Sequence, residues 1–423
     1  MSHITSKIAQ CTINAKCRLC LSDNLKLALT LTPTPPANAM VSQQNVIVNE
    51  QVYPLELALC MSCGHLQLIN VIAPEILFEN YLYVSSTTNV MRDYLYNQSQ
   101  NIISNIDLKR GDLVVEFGSN DGYLLSCFMN SGMRVLGIDP AQNITKPLEG
   151  SIPTITDYFS SALATKILSE NGHPKAICAY NVFAHIADMQ DVLQGISILL
   201  DEEGTFIFEV GYLVDVYTKT LFDTIYHEHL DYHRVAPLLN AFHLHNLTLI
   251  HVERSDIQGG AIIGYVKKGI HPISANVHEL INNEHALQLN KLQTFNDWSS
   301  SINLKGRELL TLVKGLKKLG YSIAGYGSPA KCTTLMYHFN LDSKLIDFIV
   351  EDNPLKQGLY TPGMHIPVMS SEELFNKFPD YTIILAWNFT ELIIKNNMEY
   401  LNKGGKFIIP LPDLRIVSIS SYG

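Results

Sequence analysis

Short apolar runs recur through the middle of the chain, spaced by amphipathic stretches. LVVEF (113–117), RVLGI (134–138), AICAYN (176–181) and GTFIFEV (204–210) are four of them, and helical patterns such as SALATKILSEN lie between. Buried β-branched runs separated by helices predict a parallel sheet covered on both faces. Two more runs, LTLIHVE near 248–253 and AIIGYV (261–266), are joined by a short connection. They predict a hairpin at the end of that sheet, a variant of the doubly wound α/β fold. A long charged helical stretch follows (about 280–319, around Trp298), and then strands resume. YSIAGYGSPAKCTTLMYHF (321–339) reads as strand, Gly-rich turn and helix, and LIDFIVEDNP (345–354) as a strand ending in Glu351 and Asp352. TIILAW (382–387) and KFIIP (406–410) complete a smaller, Rossmann-like α/β unit, with PLKQGLYTPGMHIPV (354–368) as a loop over its site. Near the N-terminus QVYPLELALCMSC alternates like a strand. The pattern predicts three parts: an N-terminal module over 1–75, a central doubly wound domain over 76–268 and a C-terminal α/β domain over 269–423.

Composition narrows the function classes. The 423 residues are 47% apolar and 17% charged, which fits buried cores and not disorder. Thirty Lys+Arg against forty Asp+Glu give a net charge of −10, which opposes a nucleic-acid binder. An anionic small molecule stays open, because helix N-termini and a few basic side chains can hold a phosphate. No apolar run reaches the ~18–20 residues of a membrane span. MSHITSKIAQ lacks the apolar core of a signal peptide, so a cytoplasmic protein is expected. Nothing in the pattern fixes the oligomeric state, and a monomer is the simplest expectation.

Eight cysteines are too sparse for a disulfide scaffold. Four of them form two C-x-x-C pairs, Cys17 with Cys20 and Cys60 with Cys63. Two such knuckles supply the four sulfurs of a closed, structural zinc site. No thioredoxin-like βαβ pattern surrounds either pair, which argues against a redox role. His65 becomes a ligand only if one cysteine is not. Cys11, Cys127, Cys178 and Cys332 read as ordinary packing residues.

The first central strand runs into VVEFGSNDGYLL, with Glu116, Gly118, Asn120, Asp121 and Gly122. Glycines here allow a ligand to approach the backbone at the carboxyl end of a strand. The spacing is not the G-x-G-x-x-G of dinucleotide sites. It is similar to the E-x-G-x-x-x-G loop of class I S-adenosylmethionine (SAM)-dependent methyltransferases. The second strand ends in GIDPA, which puts Asp139 where an acid accepts ribose hydroxyls. Asn181, Phe183 and His185, after the next strand, mark the edge of the same cleft.

LFDTIYHEHLDYHRV (221–235) concentrates Tyr226, His227, Glu228, His229, Tyr232 and His233 within eight positions. The HEH triplet is not the H-E-x-x-H metal motif, and an exposed polar loop is the bland alternative. A histidine oriented by a carboxylate is what proton abstraction requires. NYLYVSST (80–87) adds Tyr81, Tyr83, Ser85 and Ser86, where a tyrosine hydroxyl could hold an enolate oxygen or simply line a turn. In the C-terminal unit Gly325, Gly327 and Ser328 open a helix with Lys331 in its first turn, a phosphate-cradle pattern. An empty Rossmann-like half is the alternative there.

With these segments in place, nearly the whole chain resembles the sugar C-methyltransferases that act on nucleotide-linked 4-keto-6-deoxyhexoses. The resemblance is carried by both C-x-x-C knuckles, EFGSNDGYLL, NVFAHIADM, FDTIYHEHLDYH, AGYGSPAKCTTLMYHF and EDNPLKQGLYTPGMHIPV. It implies SAM and structural zinc as cofactors and a nucleotide sugar, typically linked to thymidine diphosphate, as substrate. It implies that Gly327, Ser328, Lys331 and Asp352 serve the nucleotide half. It also implies His229 as the base, with Tyr81 or Tyr83, His185, Tyr226 and Glu228 lining the site. Gln258, before Gly259-Gly260, departs from the His often found there, at a position implied to face the substrate. The expected reaction removes the C3 proton beside the 4-keto group and methylates the resulting carbanion. The rivals are an O- or N-methyltransferase of another small metabolite and a zinc-ribbon methyltransferase of nucleic acid.

Overall fold

A computed structural model describes residues 10–46, 50–78, 84–148 and 150–421. The N-terminal module holds β1 (Cys11–Ile13), β2 (Leu25–Thr34), β3 (Tyr53–Cys60), β4 (Leu66–Leu68) and β5 (Asn70–Ile72). The middle of the chain adds β6 (Leu113–Phe117), β7 (Arg134–Ile138), β8 (Thr154–Ile155), β9 (Ala176–Tyr180), β10 (Thr205–Gly211), β11 (Asp231–Tyr232), β12 (Leu247–Ser255) and β13 (Ala261–Lys268). The C-terminal unit holds β14 (Ile323–Tyr326), β15 (Phe348–Glu351), β16 (Val368–Ser370), β17 (Tyr381–Ile384), β18 (Lys406–Ile409) and β19 (Arg415–Val417).

The central sheet runs β12-β13-β10-β9-β6-β7-β8. Its β6, β7, β8, β9 and β10 are parallel, and β13 enters antiparallel between β10 and β12. This is the class I SAM-methyltransferase arrangement, with the predicted hairpin at its end. All five residues of β6 and of β9 are buried, as a strand covered on both faces requires. Crossover helices are capped by the chain's own polar residues. Ser160 accepts from the Leu163 N–H before helix Ser161–Asn171, and Asp188 from the Asp191 N–H before helix Met189–Leu199.

The C-terminal sheet runs β16-β15-β14-β17-β18-β19, parallel except for β19. That is the Rossmann order, read outward from the first strand of the unit. The charged stretch before it forms two helices, Ala275–Ala286 and Leu292–Lys318. Among the described residues no helix is long and apolar enough to cross a membrane.

The three parts interleave. β11, which follows the HEH triplet, pairs antiparallel with β4 and so joins the N-terminal sheet β11-β4-β3-β2. One buried apolar cluster runs from Leu57 and Leu68 through Phe222 to Phe339 and Ile383. The loop read as covering the C-terminal site is largely tied down elsewhere. Tyr360 bridges to Val41, and His365 Nε2 lies 2.7 Å from Glu50.

Candidate active site

The four knuckle sulfurs converge. Sγ of Cys17 lies 3.6 Å from that of Cys63, Cys20 lies 3.6 Å from Cys60, and all four fall within 4.8 Å of one another. Sulfurs on a tetrahedral zinc at ~2.3 Å lie about 3.8 Å apart, so the set fits the ion. Each knuckle turns through a left-handed residue, Leu21 (φ +61°) and Gly64 (φ +78°). The Cys63 thiol and burial hold the Cys17 pKa well above its ordinary value, a penalty that a divalent cation removes. His65 is not a fifth candidate, because its Nε2 pairs with Asp231 at 2.7 Å.

At the carboxyl end of β6, Gly118 (φ +67°), Asn120 (φ +49°) and Gly122 (φ +68°) bend the chain through the left-handed region. A Cβ on Gly118 would stand 2.7 Å from Val182, so the close turn demands glycine. Asp139 Oδ2 accepts the Asn120 N–H and Oδ1 the Ala141 N–H, each at 2.9 Å. Each oxygen keeps a second lone pair for a hydroxyl. Glu116 is 3% exposed, and its Oε2 has no hydrogen-bond partner among the described residues. Burial, then Asp121 and Asp139, raise its pKa well above the carboxylate range. Three crowded carboxylates, one with an orphaned oxygen, fit a ligand that brings hydroxyl donors and positive charge, as SAM does. The backbone N–H groups of Ser85 and Ser86 donate to Asn120 and Asp121 and dock the 84–87 turn on this loop. Tyr81 and Tyr83 lie outside the described residues.

Asn181 (φ +55°) donates from Nδ2 to Glu209 Oε1 at 2.8 Å. Phe183 differs from expectation. Its ring is fully buried, stacked on Phe208 at 5.2 Å and near Phe242, so it backs the cleft instead of lining it. The pattern also missed two residues beside Asn181. Glu209, at the end of β10, is fully buried, bonded to the Tyr94 hydroxyl and pushed up to about 7 by burial. An acid closing an apolar run, GTFIFEV, was the available signal.

The HEH segment places His229 between three groups. Its Nδ1 lies 2.8 Å from the Thr224 carbonyl and its Nε2 3.0 Å from the Tyr226 hydroxyl. A carbonyl only accepts, so Nδ1 carries the proton of the neutral ring and Tyr226 donates to the Nε2 lone pair. His185 sits edge-on at 5.0 Å between ring centroids. Burial holds His229 down at about 4, and burial together with His229 holds His185 at about 3. Glu228 Oε1 accepts from Asn38 Nδ2 at 2.7 Å, in the N-terminal module, and the two ring nitrogens of His229 lie on Thr224 and Tyr226. The Thr224 carbonyl orients the base. His227 and His233 are packing residues, set against the carbonyls of Pro54 and Phe183 and each held at about 4 by burial.

In the C-terminal unit Gly327 (φ +84°) makes the turn, and the Ser328 N–H donates to Glu351 Oε2 at 2.6 Å. Asp352 is exposed, with its oxygens 3.3 and 3.4 Å from the Tyr326 hydroxyl. Lys331 is the first residue of helix Lys331–Phe339 but does not stand open at the turn. Its Nζ donates to Asn388 at 2.6 Å, lies 4.7 Å from the Trp387 ring centre and 3.9 Å from buried Asp223. Lys356, which the pattern did not single out, reaches the Ser328 carbonyl at 2.7 Å. Gln258 is exposed in the β12–β13 turn at φ +51°.

Three sequence families match in this order: a zinc binding domain (residues 17–78), a methyltransferase domain (92–252) and a C-methyltransferase C-terminal domain (256–412). C-methyltransferase NovU of Streptomyces niveus is 33% identical over 409 residues, 96% of this chain and 97% of that protein. Magnesium protoporphyrin IX methyltransferase of Synechocystis, solved with bound SAM, is 13% identical at TM-score 0.31, covering 43% of this chain and 86% of its own. The 1,6-didemethyltoxoflavin-N1-methyltransferase of Burkholderia thailandensis is 12% identical at TM-score 0.32, covering 43% of this chain and 82% of its own.

Proposed function

This chain belongs to the C-methyltransferase family, uses SAM and carries a structural zinc site, and from that premise we propose that it methylates C3 of a nucleotide-linked 4-keto-6-deoxyhexose. The observation that carries the reading is the His229 geometry: one nitrogen committed to a carbonyl, the other a lone pair facing a hydroxyl. That is the arrangement of a base with a preset tautomer.

SAM supplies an electrophilic methyl on a sulfonium. The substrate's C3–H replaces the Tyr226 hydroxyl at Nε2 of His229. His229 takes the proton and becomes the imidazolium. The electron pair left on C3 delocalises onto the 4-keto oxygen, and the freed Tyr226 hydroxyl donates to that oxygen as charge develops. C3 would then accept the methyl that SAM, held by Glu116, Asp139 and Asn181, would supply, with S-adenosylhomocysteine as the leaving group. Holding donor and acceptor in contact supplies much of the rate. His185 stays neutral beside the base, so it does not oppose the imidazolium with a second charge. Glu116, Asp139 and Asn181 serve SAM, with Gly118, Asn120, Asp121 and Gly122 as its loop. The nucleotide half lies on the C-terminal unit by Gly327, Ser328 and Asp352, with Lys331 and Lys356 beside them.

The test is transfer of labelled methyl from SAM to a panel of nucleotide-linked 4-keto-6-deoxysugars, with the product read by NMR. A methyl on quaternary C3 is expected. His229→Asn should abolish transfer and leave SAM affinity unchanged. Methylation at oxygen or nitrogen would overturn the reading.

A further inference from the structure

We propose that Asp223 and Trp387 are a positioning pair through which the C-terminal unit sets the aim of His229. The proposal rests on the reading of His229 as the base.

Residues 222–225 form a short turn just ahead of the HEH triplet, and each is held. Phe222 packs on Phe339 at 5.0 Å between ring centroids. Asp223 is fully buried, and its Oδ2 accepts the indole N–H of Trp387 at 2.7 Å. The Thr224 carbonyl accepts from His229 Nδ1 at 2.8 Å. The Ile225 carbonyl accepts from the Thr334 hydroxyl at 2.8 Å. Phe339, Trp387 and Thr334 all belong to the C-terminal unit. The carbonyl that fixes the base's tautomer is therefore flanked on both sides by residues pinned to another part of the molecule.

The chemistry at 223 is informative. A carboxylate in the interior is costly unless it is bonded and paired, and apolar side chains would join these surfaces more cheaply. Apolar packing sets a distance, whereas an indole N–H on a carboxylate oxygen also sets a direction. Lys331 completes the arrangement by lying on the Trp387 ring and 3.9 Å from Asp223. The unit proposed to hold the nucleotide thus also aims the base. A seated substrate and an aligned lone pair then come from one contact.

Trp387→Phe tests this in the full-length holoenzyme, since it keeps an aromatic ring beside Lys331 and removes the donor, with some loss of ring volume; Thr334→Val controls for that loss. The expected result is a kcat lower by about tenfold to a hundredfold, the scale of a small misplacement, with KM for the nucleotide sugar and SAM affinity little changed. In ¹⁵N-histidine NMR, with His229→Asn identifying the signal, wild-type His229 should show protonated Nδ1 and bare Nε2. Trp387→Phe should show both tautomers. Asp223→Asn keeps an acceptor for the indole and should retain most activity, whereas Asp223→Leu should behave like Trp387→Phe. Thr334→Val, nearly isosteric, should shift kcat and the tautomer signal in the same direction by less, and it serves if a Trp387 variant does not fold. Wild-type kcat with one unchanged tautomer in Trp387→Phe or Thr334→Val overturns the proposal, whatever happens to Tm. Turnover by His229→Asn would sink the base reading separately, because the tautomer signal does not depend on turnover.

Discussion

The central and C-terminal sheets solve the same local problem and then diverge. Each sends its first strand into a glycine turn, and each ends its second strand in an acid that accepts a backbone N–H from that turn. Asp139 takes the Asn120 N–H, and Glu351 takes that of Ser328. The surroundings differ. Glu116, Asp121 and Asp139 crowd the central turn, and one oxygen of Glu116 has no partner among the described residues. At the C-terminal turn the oxygens of Glu351 are bound by the N–H groups of Ser328 and Asn353. Lys356 reaches the turn itself, and Lys331 lies one helical step behind it. A shared backbone device therefore says little about the ligand. The side-chain charge around it says more: the acidic turn suits a sulfonium and a ribose diol, and the turn with lysines suits an anion.

The strongest way to break this contrast is Asp139→Asn. The amide keeps one acceptor and turns the other oxygen into a donor facing an N–H. SAM affinity should fall about thirtyfold, or about 2 kcal/mol, the scale of a charged buried hydrogen bond. Thymidine diphosphate affinity should stay put. Calorimetry with both ligands decides, and equal losses would mean that the substitution harms the whole molecule. A smaller effect is expected of Lys356→Ala. Thymidine diphosphate binding should weaken by about fivefold at low salt and by less at high salt, as for a partly exposed charge. SAM binding should not move. An unchanged diphosphate affinity would remove Lys356 from the anion side of the comparison.

What could be read from the chain follows the same division between backbone and surroundings. The strands β6, β7, β9 and β10, the closing hairpin and the knuckles all have local signatures: period, apolar run, turn glycine, fixed spacing; the two-residue β8 has none. Four strands of the C-terminal sheet, β14, β15, β17 and β18, were legible for the same reason, and the three-residue β16 and β19 were not. The pairing of β11 with β4 was not, because two residues, Asp231 and Tyr232, carry no period. Nor was the commitment of Lys331, since its partners Trp387, Asn388 and Asp223 are distant in sequence. Phe183 and Glu228 fall in the same class. Both sit in motif-like strings, and only packing tells that one ring is core and that the carboxylate faces Asn38. A motif names the residues that gather at a site, but the partners that aim them come from elsewhere in the fold.

The mildest prediction concerns the segment that lies between the two turns. Free imidazole titrates near 6.5, so a solvated base would lose activity as pH falls through that value. His229 is held at about 4 because burial penalises the imidazolium, and the Thr224 carbonyl recovers only part of that penalty. The neutral, competent form is thus the main species everywhere above about pH 5. The acid limb of kcat/KM should lie near 4, leaving the profile flat between about pH 6 and 8. A pH–rate profile with labelled SAM, run with Tm at each pH to separate unfolding from titration, measures it. A limb near 6.5 in a folded enzyme would mean that His229 meets water in the free enzyme. The contrast would then sharpen in an unexpected place, because the base would be screened by solvent while the acids of the central turn were not.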